Sequence, residues 1–142
     1  MAHPANIAAI DAGSNALRLL ISHAESPVGI YPLYNMRLPV RLGHHAFTRR
    51  HFNARTISMA VGAFRKFRQA MDRFHVREYR AVATSASREA RNRRELLLRI
   101  KRATGIELEV IDGVEEARLV RNAVQALLGS RIQPRLVVDL GG

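Results

Sequence analysis

The sequence has no cysteine and no tryptophan, and only two of its 23 cationic residues, Lys66 and Lys101, are lysines. Without cysteine there is no disulfide framework, no thiolate metal site and no cysteine nucleophile, so any catalysis must use carboxylates, hydroxyls, histidine or a metal held by oxygen. Aromatic residues make up 6% of the chain, and no helix-turn-helix, zinc-finger or RNP signature accompanies them. Long apolar runs are also missing. None approaches the roughly 18 residues of a membrane span, and the opening MAHPANIAAID has neither a basic leader with an apolar core nor a small-residue cleavage site. A soluble, cytoplasmic protein with no membrane partner is expected.

What is present is one domain's worth of chain: 142 residues, 47% hydrophobic and 25% charged, enough to bury roughly two-thirds of the unfolded surface. Acids number 12 and the net charge is +11. The imbalance is concentrated, with 18 Arg or Lys against four acids in residues 37–102, and five against eight elsewhere. Such a patch attracts phosphate-rich ligands but does not choose among DNA, RNA, polyphosphate and nucleotides, and a merely solvated face is the plain alternative.

Hydrophobic patterning predicts strands near residues 7–11, 17–22, 31–40, 79–84 and 106–111. The third, interrupted by Pro32 and Pro39, reads as an edge strand. Ile57, Val61, Phe64, Phe67, Met71 and Phe74 recur at helical spacing and predict one long helix from Thr56, its stripe facing the core. Thr84 to Ser87 reads as a polar turn. A second helix follows from Asn92, where Asn-Arg-Arg-Glu has capping-box spacing, and Gly105 ends it. A third helix carries Ala117, Val120, Val124, Leu127 and Leu128 on one face and ends at Gly129. His44, His45 and His51 lack the spacing of a zinc site and read as surface or loop residues.

Three segments at strand ends carry chemistry. In Asp11-Ala12-Gly13-Ser14-Asn15 a carboxylate at a strand tip can orient the waters of a divalent ion, while the turn's N–H groups and the Ser14 hydroxyl can cradle a phosphate. An ordinary hairpin turn uses the same residues. In Gly113-Val114-Glu115-Glu116-Ala117-Arg118, adjacent glutamates diverge by about 100° around a helix. Only one can face a cleft as a water-activating base, and the other should face solvent. In Val137-Val138-Asp139-Leu140-Gly141-Gly142 the grammar of the first segment returns. The chain stops there, so it is expected to be a fragment cut within a motif.

Taken together, IAAIDAGSNALRLLIS, AVATSASREARN, TGIELEVIDGVEEARLV and LVVDLGG resemble the exopolyphosphatase and guanosine pentaphosphate phosphohydrolase family of the actin-like ATPase superfamily. The resemblance implies an α/β, ribonuclease-H-like lobe with a five-stranded mixed sheet in order 3-2-1-4-5 and flanking helices. Residues 1–128 would form this first lobe and 129–142 the truncated start of a second, its strand at 136–139 disordered, packed on an edge or paired with another chain. The implied reaction removes terminal phosphate from polyphosphate or guanosine pentaphosphate by attack of water, with Mg²⁺ or another divalent cation. Glu116 would be the general base. Asp11 and Asp139 would organise metal and water, Ser14, Asn15 and Gly141 would contact phosphate, and Arg88 would bind the polyanion, with Arg18 and Arg91 as weaker candidates. Ala16 stands where the family usually has Ser or Thr, and the continuation of the second loop is missing. The fragment alone is therefore expected to be inactive, unless a homodimer complements it. A basic nucleic-acid-binding module and an actin-like kinase or ATPase lobe are the alternative readings.

Overall fold

The computed structural model describes residues 4–26 and 29–128. The expectations for 129–142, including Asp139 and Gly141 and the strand at 136–139, lie outside these residues.

Three strands open the chain: β1 (Ala5–Ala12), β2 (Leu17–Ala24) and β3 (Ile30–Leu38). Helices α1 (Leu42–Arg49) and α2 (Ala54–Arg73) follow, then β4 (Glu78–Ala83), α3 (Ser85–Glu89), α4 (Arg93–Thr104), β5 (Glu109–Val110) and α5 (Gly113–Leu128). The strands form one sheet in the order β3-β2-β1-β4-β5, the expected 3-2-1-4-5. The β1–β2 and β2–β3 pairs are antiparallel, and β1–β4 and β4–β5 are parallel. The tips of β1, β4 and β5 therefore point to one end of the sheet, where the β1–β2 turn and the loops after β4 and β5 meet.

Strand alternation sorts the side chains by face. Ala8, Ile10 and Ala12 of β1, Leu17, Leu19 and Ile21 of β2, and Ala81 and Ala83 of β4 are buried. The same core takes Ile57, Phe64, Phe67 and Met71 from α2 and Leu96 and Ile100 from α4. The predicted stripe on α2 is thus core, with Val61 and Phe74 half-buried at its margin. The helix begins at Ala54 because the Asn53 side chain accepts a 2.7 Å hydrogen bond from the Thr56 N–H, a side-chain N-cap.

Several expectations are corrected. Hydrophobic patterning predicts no helix at α1, whose only buried residues are Leu42, Gly43 and Ala46, too few for a periodic stripe. His44 and His45 lie on this helix, His44 exposed at the surface as expected and His45 half-buried. The polar turn at Thr84 to Ser87 is in fact the start of α3. Asn92 does not close a capping box: its amide accepts from the Phe52 N–H at 2.8 Å and donates to the Phe52 carbonyl at 2.9 Å, tying the start of α4 to the loop before α2. The fifth strand joins the ladder only at Glu109 and Val110, because the Glu107 N–H bonds the Tyr79 hydroxyl at 3.1 Å instead. The apolar stripe predicted on α5 exists in sequence, yet α5 buries no residue among those described, and Leu127 is 87% exposed.

Candidate active site

The first segment forms the connection between β1 and β2, whose last antiparallel pair is Ala12 with Leu17. Asp11 ends up half-buried at the tip of β1, opposite Val82 of β4 and 3.9 Å from Arg18 in an ion pair. A Cβ on Gly13 would stand 3.2 Å from the Ala16 carbonyl oxygen, so the turn is tight there. Ser14 is held from two sides. Its carbonyl accepts a 2.8 Å bond from the Gly43 N–H of α1, and its Oγ lies 2.9 Å from Ser85 Oγ at the start of α3. Asn15 is exposed, with no side-chain hydrogen bond among the described residues.

Residues 71 apart are thus brought together because β1 and β4 run parallel in register and both strands turn out of the sheet at the same level. One helical turn beyond Ser85 stands Arg88. Its Nη1 donates to the Ile111 carbonyl and to Glu116 Oε2, both at 2.9 Å. Ile111 is placed by its own N–H, which bonds the Ala83 carbonyl at the tip of β4. Both bonds leave from one nitrogen, so Nε and Nη2 of the guanidinium are without protein partners among the described residues. Arg88 and Glu116 are about one-third exposed, enough for a ligand to reach them.

Helix α5 enters this end of the lobe through a cap. Asp112 Oδ1 accepts from the Glu115 N–H at 2.8 Å, and the Asp112 carbonyl accepts from the Glu116 N–H. Of the two glutamates, Glu116 is the one that faces Arg88. Glu115 does not simply face solvent, a second correction: it binds Arg118 at 2.6 Å and Arg80 of β4 at 3.1 Å. The Arg118 guanidinium, and then that of Arg80, hold its carboxyl well below the usual carboxylate range, at about 2. Arg91 is exposed and bonds through its backbone N–H to the Arg50 carbonyl. Among the described residues, no three His, Asp or Glu side chains gather as a metal cluster.

Chemically, one end of the sheet combines a strand-tip carboxylate, a small hydroxyl-bearing turn, a guanidinium with two available donors and a carboxylate touching that guanidinium. An anion with several oxygens suits the donors, and the carboxylates suit a water molecule or a hard cation. Ser85, Gly43 and the Ile111 carbonyl were not singled out from the sequence. A serine after a strand and a glycine in the first turn of a weak helix give no signal of what they will touch.

A family model for the Ppx/GppA phosphatase family matches residues 20–142. The chain belongs to the Ppx/GppA phosphatase family. An uncharacterised protein of Streptomyces coelicolor is 31% identical over 133 residues, covering 94% of this chain and 39% of that protein. Among solved structures, the Aquifex aeolicus Ppx-GppA enzyme is 29% identical with a TM-score of 0.82, matching 89% of this chain and 42% of its own. An exopolyphosphatase from Cytophaga hutchinsonii is 34% identical with a TM-score of 0.80, matching 84% and 38%. The chain therefore spans about 40% of the length of these Ppx/GppA relatives. The sheet order and these neighbours agree on the actin-like ATPase fold.

Proposed function

We propose that this lobe is the N-terminal part of a phosphatase that hydrolyses the terminal phosphoanhydride of inorganic polyphosphate or guanosine pentaphosphate. The observation that carries the reading is Arg88, bonded to Glu116 on one side and one turn from the Ser14–Ser85 contact on the other. In this reading the terminal phosphate lies against the Ser14 turn and the free donors of Arg88. Glu116 accepts a proton from the attacking water, the new P–O bond forms, and the bond to the bridging oxygen breaks. Inorganic phosphate and a chain shorter by one phosphate leave. Asn15 would also contact the phosphate, and Gly141 would add a further contact from outside the described residues.

The donors at the β1 tip are oxygens, which suits a hard divalent ion such as Mg²⁺ that uses one or two carboxylates and completes its shell with water and phosphate. Asp11, together with Asp139, would hold it. When bound it would neutralise charge on the phosphates. The cytoplasm, where such substrates occur, is the compartment in this reading, and a homodimer would be one route to a complete site.

Calorimetric binding of tripolyphosphate with Mg²⁺ to this chain, to Arg88→Ala and to Glu116→Gln tests the assignment, alongside release of phosphate from long-chain polyphosphate. Tripolyphosphate should bind, Arg88→Ala should weaken it at least about tenfold, equivalent to ~1.4 kcal/mol, and Glu116→Gln should bind within a few-fold. Little phosphate release is expected from the chain alone. Binding indifferent to Arg88 would sink the site. Release that persists in Glu116→Gln would remove Glu116 as the base.

A further inference from the structure

Helices α2 and α4 lie side by side over the buried sheet face. Each connects back to a strand parallel to β1, so both begin at the active-site end and run away from it. Between them is an open cavity of about 410 Å³ lined by Ser58, Val61 and Arg65 of α2 and by Arg99, Arg102 and Ala103 of α4. The three arginines are exposed. Arg99 is paired with Glu95 at 3.2 Å, whereas neither Arg65 nor Arg102 makes an ion pair among the described residues. Arg99 and Arg102 are one turn apart on one helix, and Arg65 faces them from the other. The function proposed above absorbs Arg88 and leaves this cluster unexplained.

We infer that the α2–α4 groove is a second anion site, which holds a downstream stretch of a linear polyphosphate whose end lies at Arg88. This rests on the substrate class proposed above. Three observations favour a chain of phosphates over a nucleic acid. Among the described residues the lining has no aromatic side chain on which a base could stack. The cations are arginines from two facing helices, whose planar forks match phosphate oxygens on either side of a thread. Helix α4, whose second half lines the groove, also starts at the end of the lobe where the reaction site lies: Arg93, in its first turn, donates from Nη1 to the Arg88 carbonyl at 3.1 Å. From Arg93 to Arg102 the helix rises by roughly 13 Å. A di- or triphosphate at Arg88 therefore cannot also fill the groove, whereas a long polymer occupies both sites at once and gains from the high local concentration of its second contact.

The test is binding as a function of chain length, with concentrations expressed per phosphate, for the wild-type chain, Arg65→Ala/Arg102→Ala, Arg65→Lys/Arg102→Lys and Arg88→Ala. Both groove arginines are exposed, so thermal melts should match wild type. The wild type should bind long-chain polyphosphate at least about tenfold more tightly than tripolyphosphate. The double alanine variant should lose that preference while keeping its tripolyphosphate affinity, and the double lysine variant should keep part of it. Long-chain affinity unchanged in the double alanine variant would overturn the groove while leaving the Arg88 site standing. Equal loss of single-stranded DNA binding, at equal affinity per phosphate, would overturn the polyphosphate assignment in favour of a nucleic-acid surface. If neither polymer nor tripolyphosphate binds the wild type, the proposed function itself falls, a result distinct from failure of the groove.

Discussion

Ser87 and Gly43 illustrate two ways in which a single residue near the site matters without touching a ligand. Ser87 is 1% exposed and its Oγ has no hydrogen-bond partner among the described residues. A buried hydroxyl without a partner carries its full desolvation penalty. Ser87→Ala is therefore expected to raise stability by about 1 kcal/mol in chemical denaturation, and a loss of that size would mean the hydroxyl is satisfied in solution. Gly43 is the opposite case. A Cβ there would stand 2.8 Å from the Phe47 ring and 2.9 Å from Ser14 Cβ. The exposed Phe47 ring can swing away, but Ser14 is held by its bonds to Gly43 and Ser85. Gly43→Ala should cost about 1–3 kcal/mol and weaken tripolyphosphate binding by displacing the turn. Wild-type stability and affinity would show that the turn has slack.

Among elements, the instructive case is the pairing of α4 with the loop before α2 through Asn92. Both polar groups of the buried Phe52 backbone are satisfied by that one side-chain amide. Asn92→Ala would leave an N–H and a carbonyl without partners, an expected loss of about 1–3 kcal/mol. Asn92→Asp should recover only the bond from the Phe52 N–H. If Asn92→Ala melted like wild type, water would have to replace the amide. Helix α2 was legible because its stripe of large apolar residues repeats every three or four positions over 20 residues. Helices α1 and α3 were not, since a five- or eight-residue helix that buries only two or three residues has no measurable period. The strand at 106–111 was legible but its length was not: two ladder residues make β5, and a tyrosine hydroxyl sets its start.

At the scale of the molecule, α5 stands apart. It buries no residue among those described, and its polar ties to the lobe include the pairs Glu115–Arg80 and Glu116–Arg88 next to the Asp112 cap. A helix attached this way depends on the ionisation of its first turn. Glu115 is held at about 2 in the folded state, below its ordinary value. Its contribution is therefore complete above roughly pH 4.5 and is lost as the pH falls from there towards 2. Hydrogen-exchange protection factors, corrected for intrinsic rates, should fall first in residues 113–120 over that window, while β1 and β4 stay protected. High salt at neutral pH should move protection in the same direction, because exposed pairs are screened. Uniform loss across the lobe would show that α5 is cooperative with the core instead.

The sequence by itself determined the sheet face that is buried, the long helix that covers it, the excess of arginine and, through its motifs, the family and strand order. These follow from local period and composition, because apolar burial is non-directional and repeats with the geometry of each element. Only the tertiary structure decided which glutamate meets Arg88, that Ser14 rests on Ser85, that Asn92 serves Phe52, and that Arg65 faces Arg99 and Arg102 across a groove. Each of these depends on the register of β1 against β4 or on how two helices seat on one sheet. Core packing sets that register over tens of residues, and no pattern within a single segment records it.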